Sequence, residues 1–286
     1  MESKYIAVNG IRLHYMEEGS GDLVILLHGF PEFWYGWRRQ IPVLGRHYRV
    51  IVPDMRGYNL SDKPEGIGQY KMDVLVQDIA ELIQKLGNGH AILVGHDWGA
   101  AVAWAVAATH PDMIIKLGII NVPHPLEMRR ALRGFNLRQW ARSYYMFLFQ
   151  LPRLPEWFMA RDLARTFTNV FKSFSPRGIV PTDEEIQEYV KAYSHAGALT
   201  GPINYYRAAL RYPDALDVST VLPMPVLMIW GEQDKALGKE LTYNTKQYCA
   251  DLETIYDPTS GHFITADNPE LVNAVLFRFF AANAEK

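Results

Sequence analysis

Apolar and polar positions along the chain mark out short strands and helices in regular succession. Tyr5 to Val8 and Ile11 to Tyr15 alternate around Asn9-Gly10, the pair that closes a two-residue hairpin turn. Leu23 to Leu27 and Tyr48 to Val52 are almost unbroken apolar runs, as expected of strands covered on both faces. An aromatic, helix-like stretch, Trp34 to Leu44, lies between them. Asp73 to Leu86 places Val76, Ile79, Leu82, Ile83 and Leu86 on one face of a helix that stops at Gly87. Ala91 to Val94 is a further buried strand, followed by a small-residue helix reaching Thr109 and a strand from Ile114 to Ile120.

After Asn121-Val122-Pro123-His124-Pro125 the alternation stops. Leu126 to about Leu222 reads as helices rich in aromatic residues and arginine, one of them opened by a capping box at Thr182 and Glu185. Strand character returns at Val226 to Trp230 and Leu252 to Tyr256, each followed by an amphipathic helix, near Lys239 to Tyr248 and from Pro269 to Ala282. Strand alternating with helix implies a mostly parallel, doubly wound α/β sheet. The expected division is a core of residues 1–124 and 223–286 with a helical cap at 125–222 inserted between strands.

Composition narrows the classes of function. Hydrophobic residues make up 49% of the 286, ample for a core and an apolar pocket. A formal net charge of −2 gives no reason to expect nucleic acid or an anionic membrane as partner. Cys249 is the only cysteine, which excludes an intrachain disulfide and suits a reducing, cytoplasmic setting. Without Cys clusters or paired-His spacing, neither a metal nor another cofactor is expected. The start of the chain carries no signal-like apolar segment, and no run is long enough to span a bilayer.

The candidate chemistry centres on Gly95-His96-Asp97-Trp98-Gly99, between a buried strand and a helix. Glycines flanking a polar residue there suggest a sharp nucleophile elbow with Asp97 at its tip; the lesser alternative is that Asp97 only caps the helix. Ligands of open parallel sheets bind beyond the carboxyl ends of the strands. Asp234 and His262 both follow such ends, and Asp97, Asp234, His262 is the chain order nucleophile, acid, base. An Asp nucleophile attacks saturated carbon and leaves an ester. His262, oriented by Asp234, would activate the water that cleaves it, and the amides of Phe30 and Trp98 would receive the oxyanion.

Together, His28-Gly29-Phe30-Pro31, the Asp97 elbow, Gly231-Glu232-Gln233-Asp234 and Gly261-His262-Phe263 resemble the α/β-hydrolase-fold epoxide hydrolases over essentially the whole chain. The resemblance implies Asp97 as nucleophile, His262 as base, Asp234 as its partner and a cis Phe30–Pro31 bond. It also implies two tyrosines that donate to the epoxide oxygen. Tyr145 in Tyr145-Met146-Phe147-Leu148-Phe149 and Tyr206 in Asn204-Tyr205-Tyr206-Arg207 match, with Tyr144 and Tyr205 as the alternatives in register. Phe30, Trp98 and Phe147 are expected in the substrate pocket, and the substrates are expected to be a small apolar epoxide and water. The expected assembly is a monomer or homodimer. A haloalkane or haloacid dehalogenase would share the Asp elbow, but many carry a halide-binding Asn at the position of Phe30, and arginines for a haloacid are missing after the elbow. A non-catalytic receptor on this fold would not need the full Asp, Asp, His set.

Overall fold

The computed structural model describes residues 1–134, 137–213 and 216–282. Its hairpin strands, β1 (Glu2–Val8) and β2 (Ile11–Glu18), turn at Asn9-Gly10, both with positive φ. Then follow β3 (Leu23–Leu27), the short helix α1 (Ile41–Leu44), β4 (Arg49–Pro53), α2 (Met72–Leu86), β5 (Ala91–His96), α3 (Trp98–Thr109) and β6 (Ile114–Ile120). Among the described residues seven helices come next: α4 (Pro125–Arg133), α5 (Leu137–Arg142), α6 (Tyr144–Leu148), α7 (Leu154–Ala160), α8 (Leu163–Phe174), α9 (Asp183–Tyr193) and α10 (Thr200–Arg211). β7 (Leu222–Gly231), β8 (Cys249–Asp257), α11 (Ile264–Asp267) and α12 (Pro269–Ala281) complete the chain.

The eight strands form one sheet in the order β1-β2-β4-β3-β5-β6-β7-β8. Among the described residues only the β1–β2 and β2–β4 pairs are antiparallel. Its two faces can be read from β3, where Leu23, Ile25 and Leu27 pack with α2 and α3 while Val24 and Leu26 pack with α1 and α12. That is why the run carries no polar position. No described helix is long and apolar enough to cross a membrane.

Three elements differ from the sequence pattern. Trp34 to Leu44 divides into a 3-10 turn, Trp34–Trp37, and α1, because Pro42 has no amide to donate into a continuous helix. Lys239 to Tyr248 is not an amphipathic helix but two 3-10 turns, Lys239–Thr242 and Thr245–Tyr248. Its Thr, Tyr and Asn residues are weak helix formers, and the Thr242 hydroxyl bonds back to the Lys239 carbonyl at 2.8 Å. β7 opens at Leu222, ahead of Pro223 and Pro225; β6 pairs with it only from Val226, so neither proline leaves a gap in that ladder.

Candidate active site

Asp97 sits at the strand-to-helix turn with φ 50° and ψ −124°, a conformation rare for any residue but glycine. Such a backbone stores roughly 1–3 kcal/mol and persists only where its surroundings dictate it. Here they do: a Cβ on Gly99 would lie 2.3 Å from the Leu27 carbonyl oxygen, and one on Gly29 would lie 2.2 Å from the Asp97 Cβ. β3 and β5 can carry their ends this close only with glycine at both places.

The side chain of Asp97 does not cap α3. Its Oδ1 accepts from the Phe30 amide at 2.7 Å, and its Oδ2 lies 3.4 Å from His262 Nε2. The capping alternative therefore gives way to a carboxylate turned out of the helix toward the loop after β3. The Phe30–Pro31 bond is cis. The amide of Trp98 opens α3, where helical N–H groups have no partner within the helix.

Behind His262 the partners are fully engaged. Nδ1 donates to Asp234 Oδ2 at 2.7 Å, which leaves Nε2 facing Asp97. Asp234 Oδ1 accepts from the amides of Ala236 and Leu237 at 2.7 and 3.0 Å, and Oδ2 accepts also from Asn121 Nδ2 at 2.8 Å. Asn121, at the end of β6, accepts the Gly231 amide at 2.9 Å with its other atom and so ties the Asp234 loop to the sheet. His96 Nε2 donates to the His262 carbonyl at 2.8 Å, while its Nδ1 meets Glu32 Oε2 at 2.9 Å. His28 donates to the Gly29 carbonyl through Nδ1 and accepts the Met55 amide on Nε2, so it is an acceptor as well as a donor.

The electrostatics follow from this geometry. Burial works against a charge on either Asp97 or His262, yet their mutual pairing outweighs it. The hydrogen bond and charge of His262, helped by His96 and the Phe30 amide, hold the Asp97 carboxyl below its ordinary pKa. Asp234 and Asp97 together raise His262 well above the usual imidazole value. Both shifts favour the charged pair, an imidazolium beside the Asp97 carboxylate.

A cavity of about 460 Å³ opens over Asp97 and His262. Phe30, Tyr145, Phe149, Phe174, Tyr206 and Phe263 give it an aromatic wall, with Lys235 and Arg142 also on the lining. The rings interlock edge to face: Tyr206 lies 5.7 Å from Tyr145, 5.7 Å from Phe30 and 4.9 Å from Phe149. Burial, followed by the charge of Asp97, raises the phenol pKa of both Tyr145 and Tyr206, so both hold their protons. The structure separates the tyrosine alternatives by position. Tyr205 donates to the Arg56 carbonyl at 2.9 Å and is committed elsewhere. Tyr144 reaches the cavity but is 63% exposed at its mouth.

Two pocket expectations change. Phe147 points outward, 44% exposed and stacked on Trp140, because helical spacing gives the inward position to Phe149 two residues on. The Trp98 ring lies behind Tyr206 at 5.0 Å rather than on the cavity lining. Two contributors carried no sequence signal strong enough to find them: Glu32 and Arg207. Arg207 donates to the carbonyls of Phe149 and Leu151 and to Glu156, pinning the segment that carries Tyr145 against α10, which carries Tyr206. Among the described residues no cluster of His, Cys, Asp and Glu is arranged to hold a metal ion.

Residues 22–269 match the family model described as alpha/beta hydrolase fold. The mouse protein named Epoxide hydrolase 4 is 36% identical over 95% of this chain and 77% of its own length. The chain belongs to the α/β-hydrolase-fold epoxide hydrolase family. A second relative, the AB hydrolase superfamily protein YfhM of Bacillus subtilis, is 40% identical over 98% of both chains. Among solved structures, an epoxide hydrolase of Bacillus megaterium in complex with an inhibitor superposes with a TM-score of 0.88 at 32% identity, covering 98% of this chain and all of the other. The α/β-hydrolase fold with its mostly parallel eight-stranded sheet is thus common to this chain and to the family.

Proposed function

We propose that the protein hydrolyses epoxides to vicinal diols in two steps through an ester on Asp97. The observation that carries this reading is the convergence of two buried phenols, Tyr145 and Tyr206, and a carboxylate cradled by the Phe30 amide on one aromatic cavity. In the first step an Asp97 oxygen attacks an epoxide carbon. The ring oxygen leaves as an alkoxide and takes a proton from Tyr145 or Tyr206. Esterification removes the negative charge of Asp97, so His262 loses one of the two carboxylates that held its proton. His262 then gives up its proton, through solvent, to the tyrosinate left by ring opening, and, neutral and kept in the required tautomer by Asp234, takes a proton from the water that attacks the ester carbonyl. The resulting oxyanion is received by the Phe30 amide, already 2.7 Å from Asp97 Oδ1, and by the Trp98 amide. Its collapse breaks the bond from the carbonyl carbon to the alkyl oxygen; one proton of the water goes to that oxygen, releasing the diol, and the other stays on His262 beside the restored Asp97 carboxylate.

The aromatic wall suits a small apolar epoxide, with water as the second substrate, and the chemistry calls for no cofactor. Residues 125–222 serve as the cap that supplies both tyrosines, on the core formed by 1–124 and 223–286. Dehalogenation by the same Asp97 is the competing reading. It is disfavoured because Phe30 offers a halide no side-chain donor and because phenols aimed at a leaving oxygen would have no comparable role. Supplying styrene oxide and a short haloalkane side by side tests the choice: diol formation without halide release is expected, and the reverse result refutes it.

A further inference from the structure

We infer that the outer face of α5 to α7 is a docking surface for an anionic lipid bilayer, which would turn the cavity mouth toward the membrane. Overall net charge argues against such a partner, but charge is unevenly distributed along the chain. Residues 125–174 carry eight arginines and one lysine against three carboxylates, although the whole chain is at −2. Of those cations, Arg133, Arg138, Arg153, Arg161, Arg165 and Lys172 are exposed, and the ion pairs described for this stretch engage none of them.

The same stretch carries exposed aromatic and aliphatic side chains. Trp140 on α5, Tyr144 and Leu148 on α6, and Leu151 just beyond it are exposed by 40%, 63%, 50% and 43%. Leu154, Trp157 and Phe158 on α7 are exposed by 42%, 54% and 57%. Arg207 binds the Phe149 and Leu151 carbonyls together with Glu156, so both ridges are anchored to one side chain. Exposed large apolar groups gathered in this way mark an interaction surface. Trp and Tyr beside arginine match the layer between lipid headgroups and acyl chains, where the rings sink and the guanidinium groups stay at the phosphates. The Arg161 guanidinium already rests 4.9 Å from the Trp157 ring centre, the arrangement that lets both enter together. A second copy of the chain is a poorer occupant, because a two-fold contact would set this cationic face against itself.

Position gives the surface a use. Tyr144 belongs to the exposed ridge and also to the cavity mouth, beside Arg142 and Lys235. Docking there would let an apolar molecule pass from the bilayer into the cavity without crossing water. This consequence rests on the proposed function, but the docking itself does not.

The test is co-sedimentation of the full chain with phosphatidylcholine vesicles made with and without phosphatidylglycerol. Binding is expected only with phosphatidylglycerol, and it should weaken as salt is raised. Arg153→Gln with Arg161→Gln should weaken partitioning by about twenty-fivefold, at about fivefold per cation. Trp157→Ser with Phe158→Ser should weaken it independently of salt, while Lys71→Gln with Lys85→Gln, outside the face, should leave it unchanged. Melting curves confirm that each variant is folded. Equal sedimentation with both vesicle types, no binding at low salt, or binding untouched by either face variant would overturn the inference. A dimer in analytical ultracentrifugation that Trp157→Ser and Phe158→Ser abolish, without vesicle binding, would assign the face to self-association and overturn it too.

Discussion

Replacing His262 by Gln separates the two proposed half-reactions, and the structure sets the expected size of each effect. Attack by Asp97 should survive. The carboxylate keeps its 2.7 Å bond from the Phe30 amide and loses only a contact of 3.4 Å, long for a charge-assisted hydrogen bond. A loss of about 1 kcal/mol, or roughly fivefold, is the scale for one such bond. Hydrolysis should suffer more, because the amide of Gln cannot accept a proton from water and general-base catalysis is worth on the order of 10²–10⁴-fold. The ester should therefore accumulate. The pairing also explains how a base that rests protonated becomes competent. The Asp97 charge, 3.4 Å from Nε2, favours the imidazolium, and alkylation cancels that charge. The assay is intact-protein mass spectrometry of His262→Gln after mixing with styrene oxide, with near-ultraviolet circular dichroism as the folding control. Protein heavier by one substrate mass, persisting far longer than in the parent enzyme, is expected. A folded variant that binds substrate and forms no adduct refutes the assignment of His262, and rapid turnover of the adduct would do the same.

Other expectations follow from the same geometry. Tyr145→Phe and Tyr206→Phe should each slow ring opening by on the order of 10²–10⁴-fold, read from single-turnover ester formation; a double variant with an unchanged rate would remove both from the chemistry. One turnover in heavy-oxygen water should label the Asp97 carboxylate before the diol, and label appearing first in the diol would rule out the ester. Asn121→Ala should cost about 1–3 kcal/mol of stability, since the Gly231 amide loses its acceptor and Asp234 a donor; a denaturation midpoint unchanged from the parent would contradict that account. In pH, Asp97 sits below its ordinary value and contributes stability present above that value and lost as pH falls through the depressed one. His262 sits above its ordinary value and contributes stability present below it and lost as pH rises through the raised one. For the reaction, acidification should slow ester hydrolysis first, as His262 in the ester protonates, and alkylation only at lower pH, where Asp97 protonates. Stopped-flow measurement of the two phases checks this, and alkylation failing first would reverse the assigned roles.

Much of this protein was determined by the sequence itself because the signals involved are local. A strand buried on both faces must be apolar at every position, so Leu23 to Leu27 announces itself, as does the Asn9-Gly10 hairpin. The elbow is legible for the same reason: a sharp turn between touching elements needs glycine at fixed offsets, and chain order then singles out Asp234 and His262. Interactions between distant segments leave no such trace. Whether Asp97 capped its helix depended on the Phe30 amide, 67 residues away in the chain. Asn121 carries no charge and reads as a poor acid, yet its place between Gly231 and Asp234 makes it a brace. Tyr205 and Tyr206 are adjacent in sequence and part company only because the Arg56 carbonyl engages the first and leaves the second to the cavity. Phe147 and Phe149 divide likewise, since the face of a short helix that turns inward is decided by what it packs against. Local backbone demands are written in residue types, whereas side-chain direction in an aromatic-rich cap is settled by packing across the fold.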